Sequence, residues 1–184
     1  MLYTPHHAEQ YKLWYAGKTV DKPHRWAVTL ASMHKDGESI LDYGSGRGRL
    51  RHTLSDGALE LVGLLREYDP GVPACAAEPE PADIVFCTDV LEHVETDCLD
   101  DVLAHIKSLT KRVALVVIST KPSDMTLPDG TAQHKLVMDK DWWEDKLSTL
   151  GMFMATIPTE KKEAVFFLYA PVVQEWDMTP YADS

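Results

Sequence analysis

The sequence lacks long apolar runs. Val113 to Ile118 is a run of six residues, whereas a helix that crosses a bilayer needs roughly 20. The first ten residues show no basic stretch followed by an apolar one, so no secretory leader is expected. Cations are scarce. Lys and Arg total 18 against 29 Asp and Glu, for a net charge of -11. That balance excludes a broad cationic face for phosphate backbones and disfavours nucleic acid as a partner. It also repels an anionic membrane surface. Cysteine is sparse too. Cys75, Cys87 and Cys98 make no CxxC pair, which points to reduced thiols and a cytoplasmic setting. No set of four closely spaced ligands is written, so no metal site is expected. The Gly-Lys-Ser/Thr of a phosphate-binding loop is absent.

What is present describes an ordinary globular chain. It has 184 residues, 45% apolar and 26% charged, which suits one domain. A chain of this length buries roughly 70% of the surface that its unfolded form exposes. Ser39 to Tyr43 reads as a short strand, followed by a helix from Arg49 broken at Asp56-Gly57. A second strand ends near Tyr68, stopped by Asp69-Pro70-Gly71. Gly71 to Pro81 reads as a loop. Ile84 to Thr88 and Arg112 to Ser119 are continuous apolar strands, as in a parallel sheet covered on both faces. Between them lies a helix from Asp97 to Leu109, with Leu99, Val102, Leu103, Ile106 and Leu109 on one stripe. Thr96 is its expected N-cap. Thr120 to Asp139 is a long polar loop, and Lys140 to Leu150 a helix. Met152 to Ile157 and Glu163 to Tyr169 form a closing strand pair. The order is that of an α/β fold with a mostly parallel sheet and a C-terminal antiparallel pair. Such sheets bind ligands beyond the strand C-termini, where the strand order switches.

Asp42-Tyr43-Gly44-Ser45-Gly46-Arg47-Gly48 lies at that place. Glycines let the backbone turn sharply off the strand and approach a ligand closely. Asp42 sits just before the turn. Its charge opposes a pyrophosphate and suits a cationic ligand. The stretch ILDYGSGRGRL resembles motif I, D-x-G-x-G-x-G, of the class I S-adenosylmethionine-dependent methyltransferases. Ala82 to Val94, ADIVFCTDVLEHV, resembles the motif IV region of the small-molecule group similar to quinone-biosynthesis methyltransferases.

The resemblance implies a single Rossmann-like domain with S-adenosylmethionine as cofactor. Residues 1–37 would form a helical lid, 38–171 the core and 172–184 a peripheral tail. Asp42, Tyr43, Gly44, Ser45, Gly46 and Gly48 would line the cofactor's amino-acid and ribose parts. Asp69 would meet the ribose hydroxyls. Thr88 and Asp89 would lie near the methyl group. The family places a helix and a strand after motif II, but only 12 residues separate Asp69 from Ala82. A sheet trimmed on its adenine side is therefore expected.

Methyl transfer needs alignment and, for a protonated acceptor, a base. His93 and His134 are the candidates. Tyr11, Trp14, Tyr15 and Asp129 are candidate substrate contacts. Each has a plainer reading: structural histidines, aromatics packed on the sheet, an Asp-Gly turn. His6-His7 is expected to be a mobile pair. The expected activity is methyl transfer to an O or N of a small-molecule acceptor. A non-catalytic S-adenosylmethionine-binding subunit, a protein or RNA methyltransferase and a cofactor-cleaving enzyme are the alternatives. Monomer and homodimer are both compatible with the sequence.

Overall fold

The computed structural model describes residues 1–20, 22–159 and 162–171. Its centre is a six-stranded sheet built from β1 (Ile40–Tyr43), β2 (Leu65–Tyr68), β3 (Ala82–Thr88), β4 (Thr110–Ser119), β5 (Phe153–Ile157) and β6 (Glu163–Tyr169). The strand order is β2-β1-β3-β4-β6-β5. The first four are mutually parallel, and β6 runs antiparallel to both β4 and β5. Order reverses between β1 and β3, so the crevice of such a sheet opens beyond Tyr43 and Thr88.

Alternation divides the strand side chains between two cores. Leu41, Val85, Cys87, Ala114, Val116 and Phe166 face one layer. It contains α5 (Leu99–Leu109) and α6 (Lys140–Ser148). Ile40, Ile84, Phe86, Val113, Leu115 and Val165 face the other. That layer contains α2 (Ala27–Met33), α3 (Arg49–Gly57) and α4 (Leu59–Val62). A central strand covered on both faces is apolar at every position, which is why β3 and β4 read as continuous runs. The expected stripe of α5 is buried in full. Trp143 is fully buried and fastens α6 to the sheet.

Two expectations need correction. Thr96 does not cap α5. A 3-10 turn, Thr96–Cys98, precedes the helix, and the N-cap residue is Cys98. That turn uses the Glu95 carbonyl to accept from Cys98 N–H, so the Thr96 hydroxyl sits one turn too early. His6 and His7 are not a mobile pair. Both lie in α1 (Pro5–Tyr15), where His6 Nε2 meets Asp129 at 2.9 Å and His7 packs edge-on against Tyr11.

The trimmed sheet is observed. Only a short 3-10 turn, Pro73–Cys75, lies between β2 and β3, and β2 is an edge strand. The three cysteines are free thiols. Among the described residues, no helix is long and apolar enough to cross a membrane. The expected tail, 172–184, lies outside the described residues.

Candidate functional site

The turn after β1 is held by the neighbouring strand end. Gly44 N–H and Ser45 N–H donate to the Tyr68 carbonyl at 2.7 and 3.1 Å. Gly44, Gly46 and Gly48 all have positive φ. A Cβ on Gly44 would stand 2.4 Å from Val90 Cγ2, so this position is closed to larger residues on two counts.

Asp69 fastens three elements together. Its Oδ2 accepts from Gly46 N–H and its Oδ1 from Gly71 N–H, each at 2.8 Å. The Tyr15 hydroxyl of α1 donates to the same carboxylate. Burial raises the Asp69 carboxyl, and these bonds partly offset that. Each Asp69 oxygen thus accepts one backbone N–H and keeps a lone pair for a further donor. Glu67 of β2 is a further carboxylate and lines a separate hollow with Gly46 and Gly48. Its Oε2 pairs with Arg51, and its Oε1 lies beside Gly48. Sequence reasoning missed Glu67. The signal was register: in the parallel pair, Glu67 stands opposite Asp42.

Asp42 is 5% exposed. Burial pushes its pKa well above the usual range, and the nearby Glu67 and Asp69 push it further. It lines an open cleft together with Trp14, Tyr15, Ser45, Thr88 and Asp89. A second, more apolar cavity includes Tyr11, Tyr43, Gly44, Asp69, Asp89 and His93. Gly44, Tyr15 and Asp89 belong to both linings. The expected cofactor residues therefore converge at the sheet's switch point. Asp129 does not join them. It is exposed, lines neither hollow, and accepts from Thr131 N–H at 2.9 Å. That bond, with those from the Thr131 hydroxyl and His6, holds its carboxyl well below the usual range.

The end of β3 carries backbone strain. Asp89 has φ of 55°, the one positive value at a non-glycine among the described residues. Such conformations collect at functional sites. Arg25 bridges Asp89 and Glu163 at 2.8 Å each. His24, also missed from the sequence, reaches Thr88 from the loop before α2. Its Nδ1 accepts from Trp26 N–H at 3.3 Å, so Nε2 carries the hydrogen and donates to Thr88 Oγ1 at 3.0 Å. Burial pushes its pKa down to about 4, which keeps it neutral at pH 7. The Thr88 hydroxyl hydrogen is left free to point into the cleft.

Helix α1 lies over this edge as a cover. Thr4 caps it by accepting from His7 N–H, and also donates its own N–H and hydroxyl to Glu95, both at 3.0 Å. Tyr11 donates to the Gln133 carbonyl at 3.4 Å. The loop 120–139 docks through Glu92, whose carbonyl accepts from Lys135 and Leu136 N–H. This docking brings His134 to His93, with ring centroids 4.8 Å apart. Burial drives His93 down to about 4 and Glu92 up to about 8.

Comparison with known proteins settles what this architecture is. A DhpI–SAH complex superposes with a TM-score of 0.58 at 15% identity, over 91% of this chain and all of that one (100%). An O-methyltransferase family protein from Burkholderia thailandensis gives 0.53 at 16%, over 78% of this chain and 55% of that one. The 1,6-didemethyltoxoflavin-N1-methyltransferase of the same organism gives 0.52 at 18%, over 79% and 77%. The chain has the class I methyltransferase fold. It spans about half the length of the Burkholderia O-methyltransferase family protein and of a carbon methyltransferase that it also matches. No family model and no curated protein matches the sequence.

Proposed function

We propose that this chain binds S-adenosylmethionine across the turn Gly44–Gly48 and catalyses methyl transfer to an O or N of a small-molecule acceptor. The observation that carries the reading is Asp42, a carboxylate 5% exposed in the cleft lining, at a glycine turn that a single Cβ would obstruct. Glu67 and Asp69 stand close enough to Asp42 to raise its carboxyl, and Asp89 lines the same cleft. The carboxylates suit a ligand's ammonium and sulfonium, and Lys18, Arg47 and Arg49 line the same cleft. Three solved structures of the same fold are described with SAM or its product bound, and the toxoflavin enzyme also with its small-molecule acceptor.

The cofactor supplies an electrophilic methyl group on sulfur. The residues of this chain bind and orient it. Asp42 faces the amino-acid end. Asp69 positions the turn, and its carboxylate and that of Glu67 offer acceptors for the ribose hydroxyls. Thr88 and Asp89 flank the methyl-bearing end, with the Thr88 hydroxyl oriented by His24. Tyr11, Trp14 and Tyr15 close the site and exclude water. His93 lines the acceptor cavity and His134 stands beside it, each with an Nε2 that its Nδ1 hydrogen bond leaves open. Residues 1–37 act as the lid on a 38–171 core, and the acidic chain works in the cytoplasm without nucleic acid. The group similar to quinone-biosynthesis methyltransferases remains our placement within the fold, on the motif at Ala82 to Val94.

The test is calorimetric titration with S-adenosylmethionine and its demethylated product. The folded chain should bind both at one site. Asp42→Asn should weaken binding by roughly 10- to 100-fold, the worth of a charge-assisted contact. Equal affinity in the variant would remove Asp42 from the site.

A further inference from the structure

The glycine turn does not use Glu92, His93 and His134. Each offers one ligand-capable atom, and the three atoms lie within 4.8 Å of one another. Two independent features mark them out. The first is the orientation of the imidazoles. His93 Nδ1 lies 3.1 Å from the Gln133 carbonyl oxygen, and His134 Nδ1 lies 2.7 Å from that of Lys121. A carbonyl oxygen only accepts, so each Nδ1 carries the hydrogen. Each Nε2 is then left to offer its lone pair. Metal-bound histidines are commonly fixed in this way. The second is a bare carboxylate oxygen. Glu92 is 1% exposed. Its Oε1 accepts from Ser119 N–H at 3.1 Å, while its buried Oε2 has no partner. A buried acceptor of this kind is costly unless something satisfies it.

The cluster is also preorganised. The Glu92 carbonyl accepts from Lys135 N–H at 2.7 Å and Leu136 N–H at 3.0 Å. Those bonds fix the loop directly after His134. Tyr11 adds a contact from α1, its ring centroid 5.8 Å from that of His93.

We propose that Glu92, His93 and His134 form a site for one divalent transition-metal cation. Two imidazoles and one carboxylate suit Zn²⁺, Mn²⁺, Fe²⁺ or Co²⁺ rather than Ca²⁺. Three protein ligands leave coordination positions open. His93 lines the cavity that contains Gly44 and Asp89, so an acceptor oxygen in that cavity has access to the metal. This second part rests on the methyl-transfer reading. It narrows the acceptor to a molecule with a hydroxyl that can ligate a metal. Ligation lowers the hydroxyl pKa, and its proton passes to solvent. The oxygen then forms the new C–O bond, while the C–S bond breaks and its electron pair stays on sulfur. No free side-chain base is required.

The test is titration of the full chain with Co²⁺ alone, followed by visible absorption, with Zn²⁺ as competitor. One equivalent should bind, develop d–d bands and be displaced by Zn²⁺. His134→Ala changes a loop residue, so the melting temperature should hold while affinity falls more than about tenfold. His93→Gln and Glu92→Gln should weaken binding likewise. His6→Ala should not, because that exposed imidazole lies outside the cluster. Absence of saturable binding, or binding that His134→Ala leaves intact, overturns the site. S-adenosylmethionine is titrated separately into the same proteins. Cobalt binding without cofactor binding retains the metal site and removes the methyl-transfer reading. The reverse removes the metal site alone.

Discussion

Replacing Gly44 with alanine tests how the turn is built. Gly44 has φ of 79°, a conformation that costs an L residue about 1–2 kcal/mol. The new Cβ would also stand 2.4 Å from Val90 Cγ2 and 3.0 Å from Val90 Cγ1. Overpacking of that kind costs about 1–3 kcal/mol more. Gly44→Ala should therefore lose about 2–5 kcal/mol, a fall in Tm of roughly 5–15 °C for a chain of this size. Gly130 supplies the control. Its φ is 83°, but no atom lies within 4 Å of its Cβ position. Gly130→Ala should lose only the backbone part, about 1–2 kcal/mol. Adding Val90→Ala to Gly44→Ala should relieve the clash and leave the strain, which a double-mutant cycle resolves. Thermal and urea denaturation followed by circular dichroism measure the wild type, the three single variants and the double variant. Equal losses at Gly44 and Gly130 would refute the close approach of Val90 as the reason for glycine.

Three further outcomes follow from the same geometry. Asp42 is pushed up by burial and by neighbouring carboxylates, so Asp42→Asn should raise the melting temperature of the ligand-free chain; a lower one would mean that the carboxylate has a stabilising partner. His24 has a folded pKa of about 4 against an ordinary 6.5. The unfolded chain takes up that proton first, so stability is full above about pH 6.5 and falls as pH drops toward 4, by roughly 3 kcal/mol. His24→Gln should flatten that part of the wild-type pH profile, and an unchanged slope would clear His24. Glu67→Gln should weaken cofactor binding with little loss of stability. Asp69→Asn should lower both, because it loosens Gly46, Gly71 and Tyr15 together. Identical behaviour of the two variants in calorimetry and melting would contradict this division of roles.

Much of the fold was legible because its signals are local. The continuous apolar runs of β3 and β4 and the stripe of α5 are written in adjacent residues. So is the glycine turn, whose spacing alone marks a sharp exit from a strand. Thr96 misled because a hydroxyl before an apolar stripe looks the same whether a helix or a 3-10 turn follows. The site was legible only where strand ends supply it. Asp42, Thr88 and Asp89 come from the sheet and could be placed by counting. Asp69 could also be placed, but its commitment to two backbone N–H groups depends on the turn at Gly71. His24 reaches Thr88 from 64 positions away. His134 reaches His93 only because the Glu92 carbonyl docks the long loop. No periodicity carries such contacts, since they form only after the sheet and loop have assembled.

The most direct test of the central claim is equilibrium titration of folded chain with S-adenosylmethionine, with Gly44→Ala and Gly130→Ala in parallel. The wild type and Gly130→Ala should bind at one site with the same affinity, while Gly44→Ala, measured below its melting temperature, should bind far more weakly. A folded wild type that binds no S-adenosylmethionine, or a Gly44→Ala variant that binds as well as the wild type, would contradict cofactor binding at the glycine turn.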